Sequence, residues 1–562
     1  MDLTNRQVAD RLTFMGQLLE ITGQNVFKIR AFYRAADVVG RLPAPVSTMD
    51  SESLEALSGI GRNIAAKILE IVETGTFAEL EELRKAVPEP LIEMLQLEGV
   101  GPKTVSTLWK KMNIQSIEDL ERAARGRRIR SLKGFGEKKE EGFLKAIALY
   151  RQQSGRMNRL EADAVVGKVT SILLPGTYEV AGSYRRGRST VGDIDIVSTE
   201  PAGLLNRKIR AIADEIIDEG DRKTSFRCTG KRVDVRFTHP GGFGSMLMYL
   251  TGSKDFNIRM REIAINKGAK LNEYGIINRE TGKLQEFQRE EDIFSFLGMD
   301  PVVPELREDR GEIQAAIAHT LPVLIGQEQV RGDLHVHSGW SDGNLSLSEL
   351  AAKGEAMEYE YLLISDHSAT LGIAHGLDED RIKAQGREIE QVNRESSCTL
   401  LHGTEVDIMS DGTLGLSDHV LSDLDLVIAS VHSAFGQPRD VMTRRVLTAI
   451  ENEHVDIIGH PTGRILGRRQ PYEIDMQRII ERAAETGTAL ECNASPYRLD
   501  LDDNNVKEVH ERGVLISIGT DAHDPSEFTN MRYGIITCRR GWASATDILN
   551  TRNMAGLLEW AA

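Results

Sequence analysis

The sequence predicts a multidomain chain of mixed class, with a helical N-terminal region, an α+β centre and an α/β C-terminal part built as a TIM-like barrel. Three observations carry that prediction. Three Gly-apolar-Gly steps separate helical patterns in the first 150 residues. A Gly-Ser turn at Gly182-Ser183 precedes Asp193-Ile194-Asp195 in a stretch that mixes strands and helices. Of the 13 histidines only His239 and His319 precede residue 332, and 11 follow it, several just after short apolar runs.

At 562 residues the chain exceeds one core, and about 100 to 200 residues per domain gives three to five domains. The net charge of −16 rules out a uniformly basic coat. Residues 1–150 hold 22 Lys+Arg against 21 Asp+Glu, and the remainder holds 47 against 64, so any nucleic-acid contact must come from local patches. Cys228, Cys398, Cys492 and Cys538 have no Cys-x-x-Cys spacing, so neither a zinc knuckle nor a disulfide framework is indicated, which suits a reducing compartment. The start lacks an apolar signal core, and no run of about 18 apolar residues occurs. A cytoplasmic protein without membrane contact is expected.

The N-terminal region reads as helical, with Leu12, Met15, Leu18 and Leu19 at helical spacing. Its punctuation is Leu57-Ser58-Gly59-Ile60-Gly61, Leu97-Glu98-Gly99-Val100-Gly101 and Leu132-Lys133-Gly134-Phe135-Gly136. Each precedes a helix bearing Lys or Arg, and the glycines permit a tight turn that presents backbone N–H groups to a phosphate. The three look like helix-hairpin-helix elements, which hold a DNA backbone without reading bases.

In the centre, the Gly-Ser turn opens a helix whose N–H groups and dipole favour phosphate oxygens. Asp193 and Asp195, two residues apart on a strand, share a face. Asp234, in the alternating run Lys231 to Phe237, is the best third carboxylate, and Arg232, two residues before it, should project into the same site. Such a carboxylate set suits Mg²⁺ or Mn²⁺, which leave positions for substrate phosphates.

The strings Gly182-Ser183-Tyr184-Arg185-Arg186-Gly187 and Gly192-Asp193-Ile194-Asp195 resemble the palm of family X DNA polymerases, members of the nucleotidyltransferase superfamily. The likeness continues at Tyr249-Leu250-Thr251-Gly252-Ser253 and Leu271-Asn272-Glu273-Tyr274-Gly275. It implies that Ser183, Arg186 and Gly192 contact the triphosphate of an incoming dNTP, and that Asp193, Asp195 and Asp234 bind a metal pair. It further implies that Tyr249 and Gly252 lie beneath the nucleotide sugar. Asn257 and Arg261, four apart on the next helix, share a face; the resemblance implies contact with the new base pair and the template. The family commonly has Tyr-Phe where this chain has Tyr249-Leu250, which touches sugar discrimination and not polymerisation. Ser58 to Lys67 resembles the small N-terminal domain of the same family, implying that Lys67 can form a Schiff base with an abasic sugar. Lys28, Tyr33 and Arg34 are candidates to receive a 5′-phosphate there.

Beyond a Pro-containing, charged stretch near residues 300–332, the key string is Asp333-Leu334-His335-Val336-His337, followed by Asp342 in a loop. His335 and His337 alternate along a strand and share one face. Then come His367, Glu405, His432, His460, Asp521 and His523, most of them after an apolar run such as Tyr361 to Ile364. Functional residues at the ends of repeated strand–helix units indicate a TIM-like barrel. This set resembles the polymerase and histidinol phosphatase (PHP) domain. The resemblance implies nine ligands (His335, His337, Asp342, His367, Glu405, His432, His460, Asp521 and His523) for two or three ions such as Mn²⁺, Zn²⁺ or Fe²⁺. Arg464, Arg468 and Arg469 form a basic cluster nearby; His375, His402, His419, His454 and His510 fit no ligand position.

The expected organisation is a small helical lyase-like domain over 1–85, a fingers-like helical domain over 86–155, a nucleotidyltransferase palm over 156–240 and a thumb over 241–310. A linker over 311–332 and the PHP barrel over 333–562 follow. The resemblance implies a DNA-directed DNA polymerase that fills short gaps in repair, working on gapped or primed DNA with dNTPs. It also implies a second site acting as a metal-dependent 3′→5′ exonuclease, with removal of 3′-phosphates or incision at abasic sites as further activities. A monomer is expected. Two alternatives stay open: a barrel that hydrolyses small phosphate monoesters or is structural, and a scaffold that holds DNA ends without chemistry.

Overall fold

Helix α1 (Asn5–Thr22) opens on a capping box between Thr4 and Gln7 and buries Leu12, Met15 and Leu18 against α2 (Val26–Gly40). The computed structural model describes residues 3–562 except 41, 43, 44, 154, 372 and 373. The chain separates into two compact units, one comprising 1–154 with 338–346 and 467–470, the other the remaining residues. In the first, one continuous apolar core runs from Val8 to Ile147. The three hairpins precede α3 (Arg62–Thr74), α4 (Pro102–Met112) and α5 (Glu137–Gln153), and they share a single geometry. Ile60, Val100 and Phe135 each donate a backbone N–H to the carbonyl three residues earlier and bury their side chains. The glycine before each has φ of +107°, +74° and +88°, which a side chain would oppose.

In the second unit a five-stranded sheet is made of β1 (Tyr178–Val180), β2 (Ile194–Ser198), β3 (Glu215–Glu219), β4 (Lys223–Cys228) and β5 (Lys231–Phe237). Its order is β1-β2-β5-β4-β3, with β2 and β5 parallel and every other pair antiparallel. Between β1 and β2 lies α6 (Gly182–Arg185), a single turn and so shorter than the helix that a Gly-Ser opening suggested. Helices α7 (Phe243–Thr251) and α8 (Lys254–Asn266) follow, then the antiparallel strands β6 (Ala269–Asn272), β7 (Gly275–Asn278) and β8 (Leu284–Gln285). Ile313 and Ala316 of α9 (Glu312–Ala318) join the apolar core of this subdomain beside Phe256 and Phe294.

The rest of the unit is a parallel barrel. Its strands are β9 (Gly332–Val336), β10 (Tyr361–Ile364), β11 (Thr399–Asp407), β12 (Leu426–Ser430), β13 (Ile457–Ile458), β14 (Ala489–Asn493) and β15 (Ile516–Gly519), hydrogen-bonded in sequence order. A parallel bridge from Val336 to Ala522 brings the last strand back to the first, so seven strands nearly close where a TIM barrel has eight. Their side chains are almost all buried, as expected for strands covered by helices on the outside. Helix α10 (Met531–Arg540) lies over β14 and β15, with Ile535 and Cys538 in the barrel core.

Candidate active sites

The parallel pairing of β2 with β5 puts Asp195 directly opposite Asp234, and Asp193 immediately precedes β2. Gly182, φ +64°, lies so near that a Cβ on it would meet Asp195 Oδ2 at 2.3 Å; only glycine lets the turn approach the carboxylates. Burial, then Asp193 and Asp234, lift the Asp195 carboxyl to about 7. Asp234 is the counter-case. Burial opposes its charge, yet hydrogen bonds from Lys223, Arg232 and Ser225 hold its carboxyl below the usual range. Lys223 Nζ is 2.8 Å from Asp234 Oδ2, and Arg232 Nε and Nη2 are each 3.2 Å from its oxygens, so Arg232 projects where its spacing indicated. Lys223 escaped the sequence reading because only the β4–β5 register carries it there.

Arg186 Nη1 donates to the Thr251 carbonyl and its Nε to Glu308, which ties the turn to the end of α7. Gly192 lies half-buried near Arg156, and Gly252 near Arg186. Asn257 is buried, not a solvated helix residue: its Nδ2 donates to the Tyr249 carbonyl at 2.7 Å, and Arg261 Nε donates to the Asn257 carbonyl. Tyr249, Arg261, Lys270 and Arg279 line a cavity of about 340 Å³. Leu250 packs with Phe243 against Ala181 and Val197 under the turn.

Around the rim formed by the C-terminal ends of the barrel strands, Glu405 is the hub. One of its oxygens is 2.9 Å from His367 Nδ1 and 3.7 Å from His335 Nε2; the other is 2.9 Å from His460 Nε2 and 3.3 Å from His432 Nε2. His337 Nε2 is 3.3 Å from Asp521, and its ring stacks on those of His367 and His523. The donor atoms of His335, His337 and Asp521 lie within 4.8 Å of one another, as do those of His367, Glu405 and His432. Asp342 lies half-buried in the segment 338–346, which belongs to the first unit.

Second partners set the rings. An ionised carboxylate only accepts, so His335 Nδ1 donates to Glu491 at 2.7 Å and His432 Nδ1 to Asp407 at 2.9 Å, and His523 Nδ1 donates to the Asp521 carbonyl. Each turns Nε2 away from that partner, where it becomes a lone-pair donor when the ring is neutral, the arrangement that metal-binding histidines favour. Glu491, Asp407 and Arg498, whose Nε is 3.6 Å from Asp521, were not found from sequence, because no spacing rule links them to the histidines.

Burial and the neighbouring His523 and His367 drop His337 to about 3. Burial opposes the charged form of His335 as well, but Glu491, Glu405 and Asp521 outweigh it and hold the group well above its ordinary value. Glu405 sits well below the carboxylate range despite burial, owing to His432, His367 and His335. His335 Nε2 and His460 Nδ1 are buried without a hydrogen-bond partner among the described residues. Converging imidazole nitrogens and carboxylate oxygens, some with no other partner, fit borderline divalent ions.

In the helical unit, Gly61 and Gly101 cap α3 and α4 without a side-chain bond, and nothing would meet a Cβ at Gly61, Gly99, Gly101, Gly134 or Gly136, so these backbone edges are open. Lys67 Nζ pairs with Glu79 at 2.7 Å beside Phe77; Lys28 shares the same carboxylate. Arg34 reaches Ser58 of the first hairpin, and Tyr33 donates to Glu20. Arg464 is tied to the carbonyls of Arg498 and Leu499 and to Asp502, so it is not a free basic surface; Arg468 and Arg469 belong to the segment grouped with the helical unit. Among the described residues no helix is long and apolar enough to cross a membrane.

Fold and sites together define a nucleotidyltransferase palm and thumb joined to a barrel whose rim gathers histidines and carboxylates able to hold metal ions. Family descriptions match accordingly: a helix-hairpin-helix domain over 3–77, a SAM-like helix-hairpin-helix tandem over 91–146, the DNA polymerase beta palm over 156–226, the DNA polymerase beta thumb over 246–308 and the PHP domain over 333–495. The DNA polymerase/3′-5′ exonuclease PolX of Bacillus subtilis (strain 168) is 38% identical over 547 residues, 95% of each chain. DNA polymerase lambda of Rattus norvegicus is 24% identical over 338 residues, 54% of this chain and 56% of that protein. A probable phosphatase of Thermoanaerobacter sp. (strain X514) is 30% identical over 231 residues, 39% of this chain and 89% of that one. The chain belongs to the family X DNA polymerases that carry a C-terminal PHP domain.

Proposed function

We propose that this protein is a DNA-directed DNA polymerase that fills short gaps during DNA repair, and that its barrel is a metal-dependent 3′→5′ exonuclease acting on the same DNA. The observation that carries the first half is the register pair Asp195–Asp234, with Asp193 beside it, facing a turn held close by Gly182. Asp193, Asp195 and Asp234 would hold Mg²⁺ or Mn²⁺; His335, His337, His367, Glu405, His432, His460, Asp521 and His523 of the barrel would hold two or three of Mn²⁺, Zn²⁺ or Fe²⁺. Such ions, when bound, neutralise charge on the transferring phosphoryl group and lower the pKa of the attacking hydroxyl or water. The chain's own residues do the placing. Ser183, Arg186 and Gly192 receive the triphosphate, Tyr249 and Gly252 lie under the sugar, and Asn257 and Arg261 meet the base pair and template. Lys223 and Arg232 keep Asp234 ionised and balance charge at the primer end. The hairpin glycines Gly59, Gly61, Gly99, Gly101, Gly134 and Gly136 bring backbone N–H groups to the DNA backbone. The working state is a monomer in the cytoplasm, with the domains bounded near residues 85, 155, 240, 310 and 332.

The substrate of the barrel is tested by competing a 3′-recessed duplex with p-nitrophenyl phosphate and histidinol phosphate; preference for the monoesters sinks the nuclease assignment. A lyase at Lys67 requires release of its pair with Glu79, since Schiff-base chemistry needs a free amine. Borohydride trapping of a 5′-deoxyribose-phosphate substrate, present in the wild type and lost in Lys67→Ala, tests it. No trapped adduct removes the role.

A further inference from the structure

Helix α10 of the barrel grips the turn that follows β1. It meets the turn directly at Ile536 and Arg540 and, through Asp163, at Tyr533, three positions at the three-to-four spacing of one helical face. At its start, Tyr533 and Tyr184 both donate to Asp163, each at 2.7 Å, and Arg532 pairs with the same carboxylate. At its middle, Gly187 lies so close that a Cβ there would meet Ile536 Cγ2 at 2.3 Å. At its end Arg540, 1% exposed, donates Nη1 to the main-chain carbonyl of Arg186 at 2.5 Å and stands 3.0 Å from Glu308, while its Nη2 donates to Asp503 at 2.7 Å. Glu308 in turn accepts from Arg186 Nε at 3.1 Å, so one carboxylate clasps both guanidiniums. The opposite face of α10 rests on the barrel: Gly534 abuts Ile518 of β15 and Ala494 just past β14.

We propose that α10 is a positioning element of the polymerase site, in which Arg540 holds the turn 182–188 in the conformation that receives the incoming triphosphate. This rests on the reading that Ser183 and Arg186 contact the nucleotide. The physical reason is that a turn of so few residues has little stiffness of its own, whereas a buried, multiply bonded guanidinium fixes a carbonyl firmly, and losing it frees the Arg186 carbonyl and leaves Glu308 and Asp503 to Arg186 and Arg310. The barrel thereby serves synthesis as well as degradation.

The test uses the full-length protein. Arg540→Met should raise KM for dNTP about tenfold with kcat changed less than about twofold, the signature of lost substrate binding. It should also speed hydrogen–deuterium exchange of amides 183–188 in the nucleotide-free protein, and leave 3′ degradation by the same sample intact. Arg540→Lys, which keeps the charge but cannot bridge the Arg186 carbonyl, Glu308 and Asp503 together, should fall between. Unchanged KM and exchange in Arg540→Met overturn the proposal. If that variant does not fold, Glu308→Gln and Asp163→Asn carry the same test, and an unchanged KM in both overturns it. Arg186→Ala separates the two layers: a raised KM there with none in the α10 variants removes only the positioning role, whereas no change there removes the reading of the turn itself.

Discussion

The palm site and the barrel site solve charge differently. Three carboxylates share the palm, and the protein supplies their countercharge from Lys223 and Arg232, on one side only: Asp234 is held ionised while Asp195 rises to about 7. In the barrel, imidazoles surround the carboxylates, and one of those, Glu405, faces four rings. Oxygen-only sites suit hard ions that come and go with the nucleotide. A buried nitrogen-rich site with oriented rings suits borderline ions that stay. The lesson is that donor chemistry and burial, rather than sequence neighbourhood, set the two sites of one chain apart.

That contrast can be broken experimentally. The largest effect is expected at the hub: Glu405→Ala should cut 3′ degradation by about a thousandfold or more, as loss of a central electrostatic group does, with primer extension unchanged in Mg²⁺. Equal loss of both activities would mean that the sites are not separate. Next in size, chelation followed by gel filtration should leave a protein whose extension returns at once with Mg²⁺, while degradation returns only with Mn²⁺, Zn²⁺ or Fe²⁺. Restoration of both by Mg²⁺ alone would erase the distinction. Glu491→Gln keeps the shape beside His335 but weakens its orientation, and should lower metal content or degradation about 10- to 100-fold; no change would make Glu491 a mere packing partner.

The smallest effect concerns stability. Burial lifts Asp456, which accepts from the Val427 N–H, to about 7. A folded-state pKa above the unfolded value of about 4 means the native state binds the extra proton, so its contribution is present in full below about pH 4 and is lost as pH rises to about 7. Asp456→Asn should therefore flatten the fall in barrel melting temperature between pH 5 and pH 8. A slope equal to that of the wild type would place the charge in a solvated setting.

Much of this was legible in the sequence because the signals are local. Each hairpin is five residues long and carries its geometry in its own glycines, and the turn from Gly182 and the pair Asp193 and Asp195 lie within fourteen residues. Most of the barrel ligand candidates could be read because they lie at or just past the end of an apolar strand. What escaped depends on distant register. Glu491 stands in the buried strand Ala489–Asn493 and meets His335 across 156 positions. Lys223 reaches Asp234 only through hairpin pairing, and nothing in the string around Arg540 announces a carbonyl at Arg186. The pairing of Lys67 with Glu79, likewise, is a tertiary fact that bears directly on its chemistry.

The separateness of the two sites is tested most directly on a one-nucleotide gap bearing a 5′-phosphate, with and without dNTPs, in Mg²⁺ and then Mn²⁺. Wild type is compared with Asp193→Ala/Asp195→Ala and His335→Ala/His337→Ala. The expected result is that the first variant loses only extension and the second only 3′ degradation. Degradation surviving the histidine changes would contradict the barrel assignment, and extension surviving the aspartate changes would contradict the palm.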